Sequence, residues 1–408
     1  MDNRMRRRIG AALAALTLCV YFSPWMRRAA GMPDTLVLSS GQTHVVRTGL
    51  PMSASTQDKA VLASCDERAG ENRVALSAVE DGEANVTFSL LGLIPVHETK
   101  VSVVEERRLI PGGQAVGVAL KTKGVLVVAG AKKTPLRAGD VIVAVDGMEI
   151  KSAKELSAKV NELDADDVQM RVVRGGRTLD VKASAPVDQA DGQRRLGVWV
   201  RDSTAGVGTL SYIDPETQAY GALGHAIVDA DTGGLLAARE GAILRADVVG
   251  VTRGQSGKAG ELKGSFLKEG EQIGSLVLNS PYGIYGCMDE QPGTLLYPQG
   301  LPAGTRSTVH PGAASIITTV DGEGPKEYGV EIVRCFEQNA PSQKGMILRV
   351  TDERLLAATG GIVQGMSGSP IIQDGRIVGA VTHVYLNDAT QGYGMYIEWM
   401  LRQSDALS

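Results

Sequence analysis

Gly361-Ile362-Val363-Gln364-Gly365-Met366-Ser367-Gly368-Ser369-Pro370-Ile371-Ile372, followed by Asp374-Gly375-Arg376-Ile377-Val378-Gly379-Ala380-Val381, sets a serine in a glycine turn at the mouth of two apolar runs. Pro370 leads into the first run, and Asp374-Gly375 is a hairpin-type turn into the second. A nucleophilic serine needs a tight turn that exposes its hydroxyl and aims backbone N–H groups at a developing oxyanion. Glycine permits both the backbone angles and the close approach of a substrate. In the Gly-x-Ser-Gly register the candidate nucleophile is Ser367 and the candidate donors are the N–H groups of Gly365 and Ser367; Ser369 is the competing hydroxyl. Taken alone, Gly-Ser-Gly-Ser also fits an ordinary loop.

A serine hydroxyl attacks poorly until a base takes its proton, so a histidine is required. There are five. His44 and His97 lie far upstream, and His310 stands beside Pro311 where a strand ends. His225, in Gly221-Ala222-Leu223-Gly224-His225-Ala226-Ile227, has glycine beside it to admit another loop, and it is the expected base. His383, at the end of the strand after the serine hairpin, fits a supporting or substrate-wall position. His225 with Asp229 and Asp231 makes an incomplete metal-ligand set, so no metal or other cofactor is expected.

From Leu196 onward, short apolar strands alternate with glycine turns, which favours a β-barrel or sandwich. The polar run Asp188–Arg195 links it to an upstream unit over 109–187. There Gly124-Val125-Leu126-Val127-Val128 is a buried strand, Asp146-Gly147 and Gly175-Gly176 are hairpin turns, and Ser152 with Glu155 forms a capping box for a helix bearing Leu156, Val160 and Leu163. This order resembles a bacterial PDZ domain, most tellingly in Leu136-Arg137-Ala138-Gly139-Asp140 with Ile142. The resemblance implies that a peptide adds as a strand beside a glycine loop, here Gly112–Val118, with Gly113, Val116, Gly117 and Val118 as the peptide-binding candidates. The unadorned alternative is a PDZ-shaped spacer.

Residues 35–108 alternate at Asn85-Val86-Thr87-Phe88-Ser89-Leu90 and Lys100-Val101-Ser102-Val103, as a small β-rich spacer would; the glycosylation tripeptide at Asn85 is read as strand. Before it, Arg4, Arg6, Arg7 and Arg8 precede an apolar run from Ile9 to Trp25. The expectation is therefore an anchor or signal over 1–34 and export of the rest. Arg27 and Arg28 disfavour cleavage. A net charge of −4, from 42 basic and 46 acidic residues, supplies no field for nucleic acid. The 50 glycines and 4% aromatics suit short strands and tight turns. Cys19, Cys65, Cys287 and Cys335 form no disulfide framework or metal spacing, although Cys287 and Cys335 are able to pair in an oxidising compartment.

The Gly-x-Ser-Gly-x-Pro core resembles that of chymotrypsin-like proteases. More extensively, Gly208-Thr209-Leu210, Gly221–His225, Thr351-Asp352, Gly360–Pro370, Gly392-Tyr393-Gly394-Met395 and Ile397-Glu398-Trp399-Met400 resemble the SpoIVB peptidase family, as do Leu91–Val96, the leader and the PDZ-like unit. The resemblance implies a mainly β chain: anchor over 1–34, spacer over 35–108, PDZ-like α+β domain over 109–187, and a chymotrypsin-like serine protease domain of β-barrel type over 188–408. It implies Asp352 as the orienting acid, a residue that an N-cap of a short helix around Arg354–Ala357 would equally explain. It further implies a sporulation protease of the forespore intermembrane space that cleaves itself and the extracytoplasmic part of a membrane-bound regulator of an intramembrane metalloprotease, leading to late sigma factor activation. The rival from another class is a catalytically idle PDZ-bearing envelope scaffold. A trypsin-like quality-control protease would carry its PDZ unit after the catalytic domain, the reverse of this order.

Overall fold

The computed structural model describes residues 32–67, 73–130, 134–266 and 272–407. The expected anchor or signal lies outside the described residues for its first 31 positions, and no helix among the described residues is long and apolar enough to cross a membrane. The described chain is mainly β and divides into two compact units.

One unit takes the chain up to Arg107 together with Ala303–Val309. It holds a four-stranded sheet in the order Thr35–Ser39, Ile94–Val104, Gly82–Leu90, Met52–Thr56, and a three-stranded sheet in the order Thr43–Arg47, Arg73–Ala78, Leu62–Glu67. Alternation puts Val86, Phe88, Val101 and Val103 on one buried face with Leu38 and Leu76, while the polar residues between them face out. The return of the chain at 303–309 was not expected; the Val37 N–H donates to Ser307 Oγ at 2.9 Å.

The other unit begins with β1 (Ala115–Gly130), which does two jobs. Its second half joins β2 (Val141–Val145), α1 (Ala153–Asn161), β3 (Asp167–Arg174) and β4 (Arg177–Ser184) in a sheet ordered β4-β3-β2-β1. Val127, Ile142, Leu156, Val160, Met170 and Val172 form its core. The expected turns are present: Asp146 and Gly147 have φ of 46° and 80°, and Gly175 and Gly176 have 56° and 78°, the left-handed pair that a two-residue hairpin requires. The Ser152 side chain caps α1 by accepting the Glu155 N–H at 3.1 Å. Arg174 forks onto the buried Asp140 carboxylate at 2.6 and 2.7 Å.

The first half of β1 leaves this module. Against β5 (Val198–Ile213) the register steps from Arg201↔Leu126 to Ser203↔Lys121, so a bulge at 122–125 bends β1 into a second sheet. There β1 is followed by β7 (Ala238–Arg245), β8 (Gln272–Ser280), β9 (Gly283–Met288), β6 (Ala219–Ala222) and β5, and β5 pairs back onto β1, so six antiparallel strands close on themselves. Val116, Val118, Leu210, Tyr220, Ile243, Ile273 and Ile284 fill this ring. A second closed barrel runs β10 (Gly312–Thr318), β11 (Lys326–Cys335), β12 (Met346–Val350), β15 (Gln391–Tyr396), β14 (Arg376–Val384), β13 (Pro370–Gln373). Two short helices, α2 (Glu353–Thr359) and α3 (Ile397–Asp405), follow β12 and β15.

This arrangement corrects the placing of the peptide-binding candidates. Val116, Gly117 and Val118 are paired on one edge with β5 and on the other with β7, and a side chain at Gly113 would run into Ile317. The strand edge expected to receive a peptide is occupied by the chain's own strands. The stretch read as a glycine loop is, from Ala115 onward, the start of a long strand, because its alternating small and apolar residues are buried between two neighbouring strands. Cys287 and Cys335 are free thiols rather than a pair, and burial pushes Cys335 up to about 11.

Candidate active site

Ser367 lies in the turn before β13, and four consecutive carbonyls of that turn are held outward. The Gln364 carbonyl accepts the Leu262 N–H at 2.8 Å, that of Gly365 the Thr209 Oγ1 hydroxyl at 2.7 Å, that of Met366 both the Ser369 N–H and hydroxyl at 3.0 and 2.7 Å, and that of Ser367 the Thr209 N–H at 3.0 Å. The Met366 and Ser369 N–H groups donate within the segment, to the Val363 and Met366 carbonyls, and the Gly368 N–H donates to the Val381 carbonyl of β14. Among the described residues nothing accepts from the N–H groups of Gly365 and Ser367, the two expected oxyanion donors. Gly365 and Gly368 have φ of 94° and 99°, a region that side chains strain to enter, and a Cβ on Gly368 would collide with the Thr209 carbonyl.

The two serines differ in burial. Ser369 is fully buried with its hydroxyl on the Met366 carbonyl, whereas Ser367 is half-buried and donates to the Thr382 carbonyl at 2.8 Å. His225 follows β6 through Leu223 and Gly224, with φ of 68° and 66°. A left-handed leucine is strained, and it occurs where the chain must turn back from β6 toward the serine loop. The Leu223 N–H donates to the Thr209 carbonyl at 3.2 Å, and a Cβ on Gly224 would lie 3.0 Å from Thr382 Cγ2. The loop bearing His225 is thus laid against the same β14 carbonyl segment that receives the Ser367 hydroxyl.

His225 Nδ1 is 2.9 Å from the Ala226 carbonyl, which selects the tautomer with Nδ1 protonated and leaves Nε2 as the lone-pair nitrogen a general base needs. Burial lowers its pKa below the ordinary histidine value. The His383 ring lies 5.5 Å away, tilted by 44°, with its Nδ1 buried and, among the described residues, without a hydrogen-bond partner. Burial, then the His225 charge and Lys344, bring His383 down to about 4. His383 therefore lies directly beside His225.

Asp352 is in a different environment. It is the N-cap of α2, accepting from the Arg354 N–H at 2.9 Å, and the Arg354 guanidinium forks onto it at 3.0 and 2.7 Å. The hydrogen bonds from Arg354 hold its carboxyl down to about 2. Among the described residues no hydrogen bond joins Asp352 to His225, or His225 to Ser367. Asp229 and Asp231 are engaged by Arg201 at 2.7 and 2.9 Å, and Asp229 closes the turn by accepting from Thr232. Thr209 was noted in the sequence only within a family phrase; nothing in its local pattern signals that it bridges the two loops, because the bridge exists only once two barrels close.

By class this is a serine peptidase carrying a PDZ domain. The family description "SpoIVB peptidase S55" matches residues 192–401, more than half of the chain, and "PDZ domain" matches residues 101–184; the chain belongs to the SpoIVB peptidase S55 family. Among curated proteins none matches. Similar solved structures include the PDZ domain of an SdrC-like protein from Listeria monocytogenes, at 23% identity over 19% of this chain and 87% of that one, TM-score 0.18. Another is the active form of a protease from M. tuberculosis, at 13% identity over 50% of this chain and 74% of that one, TM-score 0.30. Likenesses this distant bear on neither substrate nor ligand.

Proposed function

We propose that this chain is a serine endopeptidase in which Ser367 is the nucleophile, His225 the general base, and the N–H groups of Gly365 and Ser367 the oxyanion donors. The observation that carries the reading is the serine turn itself: one half-buried hydroxyl beside two N–H groups unused among the described residues, with the four carbonyls from Gln364 to Ser367 each taken up by a hydrogen bond. In the cycle, Nε2 of His225 takes the Ser367 proton as Oγ bonds to the peptide carbonyl carbon, and the carbonyl oxygen develops its charge against the two N–H groups. The same proton then goes to the leaving amine, and water repeats the sequence on the acyl-enzyme.

Asp352 is assigned as the orienting acid on the strength of the family pattern. Its engagement with Arg354 and the parking of the Ser367 hydroxyl on Thr382 describe a resting arrangement from which the triad assembles. A catalytically idle scaffold is the second reading, and that unjoined Asp352 is the observation in its favour.

The proposed biology is an exported, membrane-anchored protease of the forespore intermembrane space. It cleaves an extracytoplasmic segment of a membrane-bound regulator, and itself, in the signalling that activates a late sigma factor. The PDZ domain supplies peptide binding. Because Val116–Val118 is paired on both edges, a peptide adding as a strand meets instead the segment Val198–Arg201 of β5, which among the described residues pairs on one edge only. The deciding experiment incubates the full-length chain and its Ser367→Ala variant, alone and with a labelled peptide mixture. New fragments from the wild type alone support the endopeptidase; folded protein with identical patterns supports the scaffold.

A further inference from the structure

We propose that Thr209 is a positioning residue for the oxyanion hole, and that its hydroxyl, together with the weaker bond from the Met366 N–H to the Val363 carbonyl at 3.2 Å, keeps the Gly365–Met366 peptide from turning. The inference rests on the reading of Ser367 as nucleophile and deepens it.

Of the groups that hold the four carbonyls outward, Leu262 uses its backbone, Ser369 belongs to the serine turn itself, and Thr209 alone reaches across from the first barrel with a side chain. Its Oγ1 takes the Gly365 carbonyl at 2.7 Å and its N–H takes the Ser367 carbonyl at 3.0 Å, so one residue fixes the peptides on either side of the nucleophile's own N–H. The glycine is the weak point. Gly365 at φ 94° can reorient its following peptide with little steric resistance, and a carbonyl turned inward there would close the space that the oxyanion needs.

Thr209 also has nowhere to move. It is 2% exposed, and its carbonyl receives the Leu223 N–H, two residues before His225. Neither Gly208 nor Gly368 has room for a side chain beside it: a Cβ on Gly208 would strike Leu223, and one on Gly368 would strike the Thr209 carbonyl. The loop of the base and the loop of the nucleophile are therefore both referenced to one residue of β5, the first through its carbonyl and the second through its N–H and hydroxyl.

The test compares wild type with Thr209→Val, which keeps the shape and removes the donor, and Thr209→Ser, which keeps the donor. Ser367→Ala serves as the control for the underlying reading. With the full-length chain and a peptide substrate, Thr209→Val is expected to lower kcat by about 10- to 100-fold with KM little changed, somewhat less than the loss of an oxyanion donor itself. Affinity for a peptide boronic acid, whose tetrahedral adduct places an oxygen in the hole, falls by a similar factor. Thr209→Ser stays near wild type in both. Wild-type kcat in Thr209→Val overturns the proposal, and so does an equal loss in Thr209→Ser accompanied by a lowered unfolding temperature, since that marks packing. If Ser367→Ala cleaves as wild type does, the nucleophile assignment falls first, and that result is distinct from either Thr209 outcome.

Discussion

At the scale of single residues, the proposed base is held toward its neutral form and the proposed acid toward its charged form. His225 must be neutral to accept a proton, and burial holds its pKa below the ordinary value of about 6.5. The acid limb of kcat/KM against pH is therefore expected to have its midpoint below that value. Replacing His383 by Ala admits water and moves the midpoint up; a wild-type limb at or above 6.5 contradicts this. The stability linkage has the same direction. His383, at about 4 when folded, binds its proton more readily when unfolded, so its contribution is complete above about pH 6.5 and declines as pH falls toward 4.

Asp352 permits a cleaner separation, because Asn caps a helix about as well as Asp but carries no charge. If Asp352 orients His225, Asp352→Asn lowers kcat by orders of magnitude while α2 and the unfolding temperature change little; if it only caps α2, activity survives. What the sequence made legible is the pair of local patterns behind the proposed nucleophile and base, a Gly-x-Ser-Gly turn and one glycine-flanked histidine, and the structure lays both against Thr382. The identity of the third group was not legible. A carboxylate two residues before an arginine, at the start of a helix, reads the same whether it serves the helix or the imidazole.

Among elements, the turns were the most legible, because a left-handed pair demands particular residues. Asp146-Gly147, Gly175-Gly176 and Asp374-Gly375 all take up positive φ where the pattern required it. The capping box at Ser152 was readable for the same reason. What failed was the partnering of Gly113, Val116, Gly117 and Val118. The glycines of this stretch read as a loop, whereas its pairing as a strand with β5 and β7 depends on residues more than 80 positions away, and no local signal encodes it. Gly368 gives the corresponding experiment. Gly368→Ala places a Cβ against the Thr209 carbonyl at positive φ, and it is expected to abolish cleavage and lower the unfolding temperature, whereas Gly375→Ala, in an open turn, is expected to cost stability alone.

For the whole molecule, β1 and β5 each belong to the PDZ module and to the first barrel, so the two modules share backbone. A fragment starting at Asp188 keeps β5 but lacks β1, one of the six strands that close the barrel. An opened barrel exposes two long apolar edges. That fragment is expected to be aggregated or protease-sensitive, while one starting at Arg108 gives a cooperative unfolding transition by circular dichroism. The edge proposed for a peptide, Val198–Arg201, and Thr209, whose hydroxyl holds the Gly365 carbonyl, lie on the same strand β5. The central claim is nonetheless chemical, and a cleavage time course of the full-length chain beside Ser367→Ala tests it most directly. The account expects fragments from the wild type and none from the variant; equal cleavage by both, or a folded wild type that cleaves nothing, itself included, would contradict it.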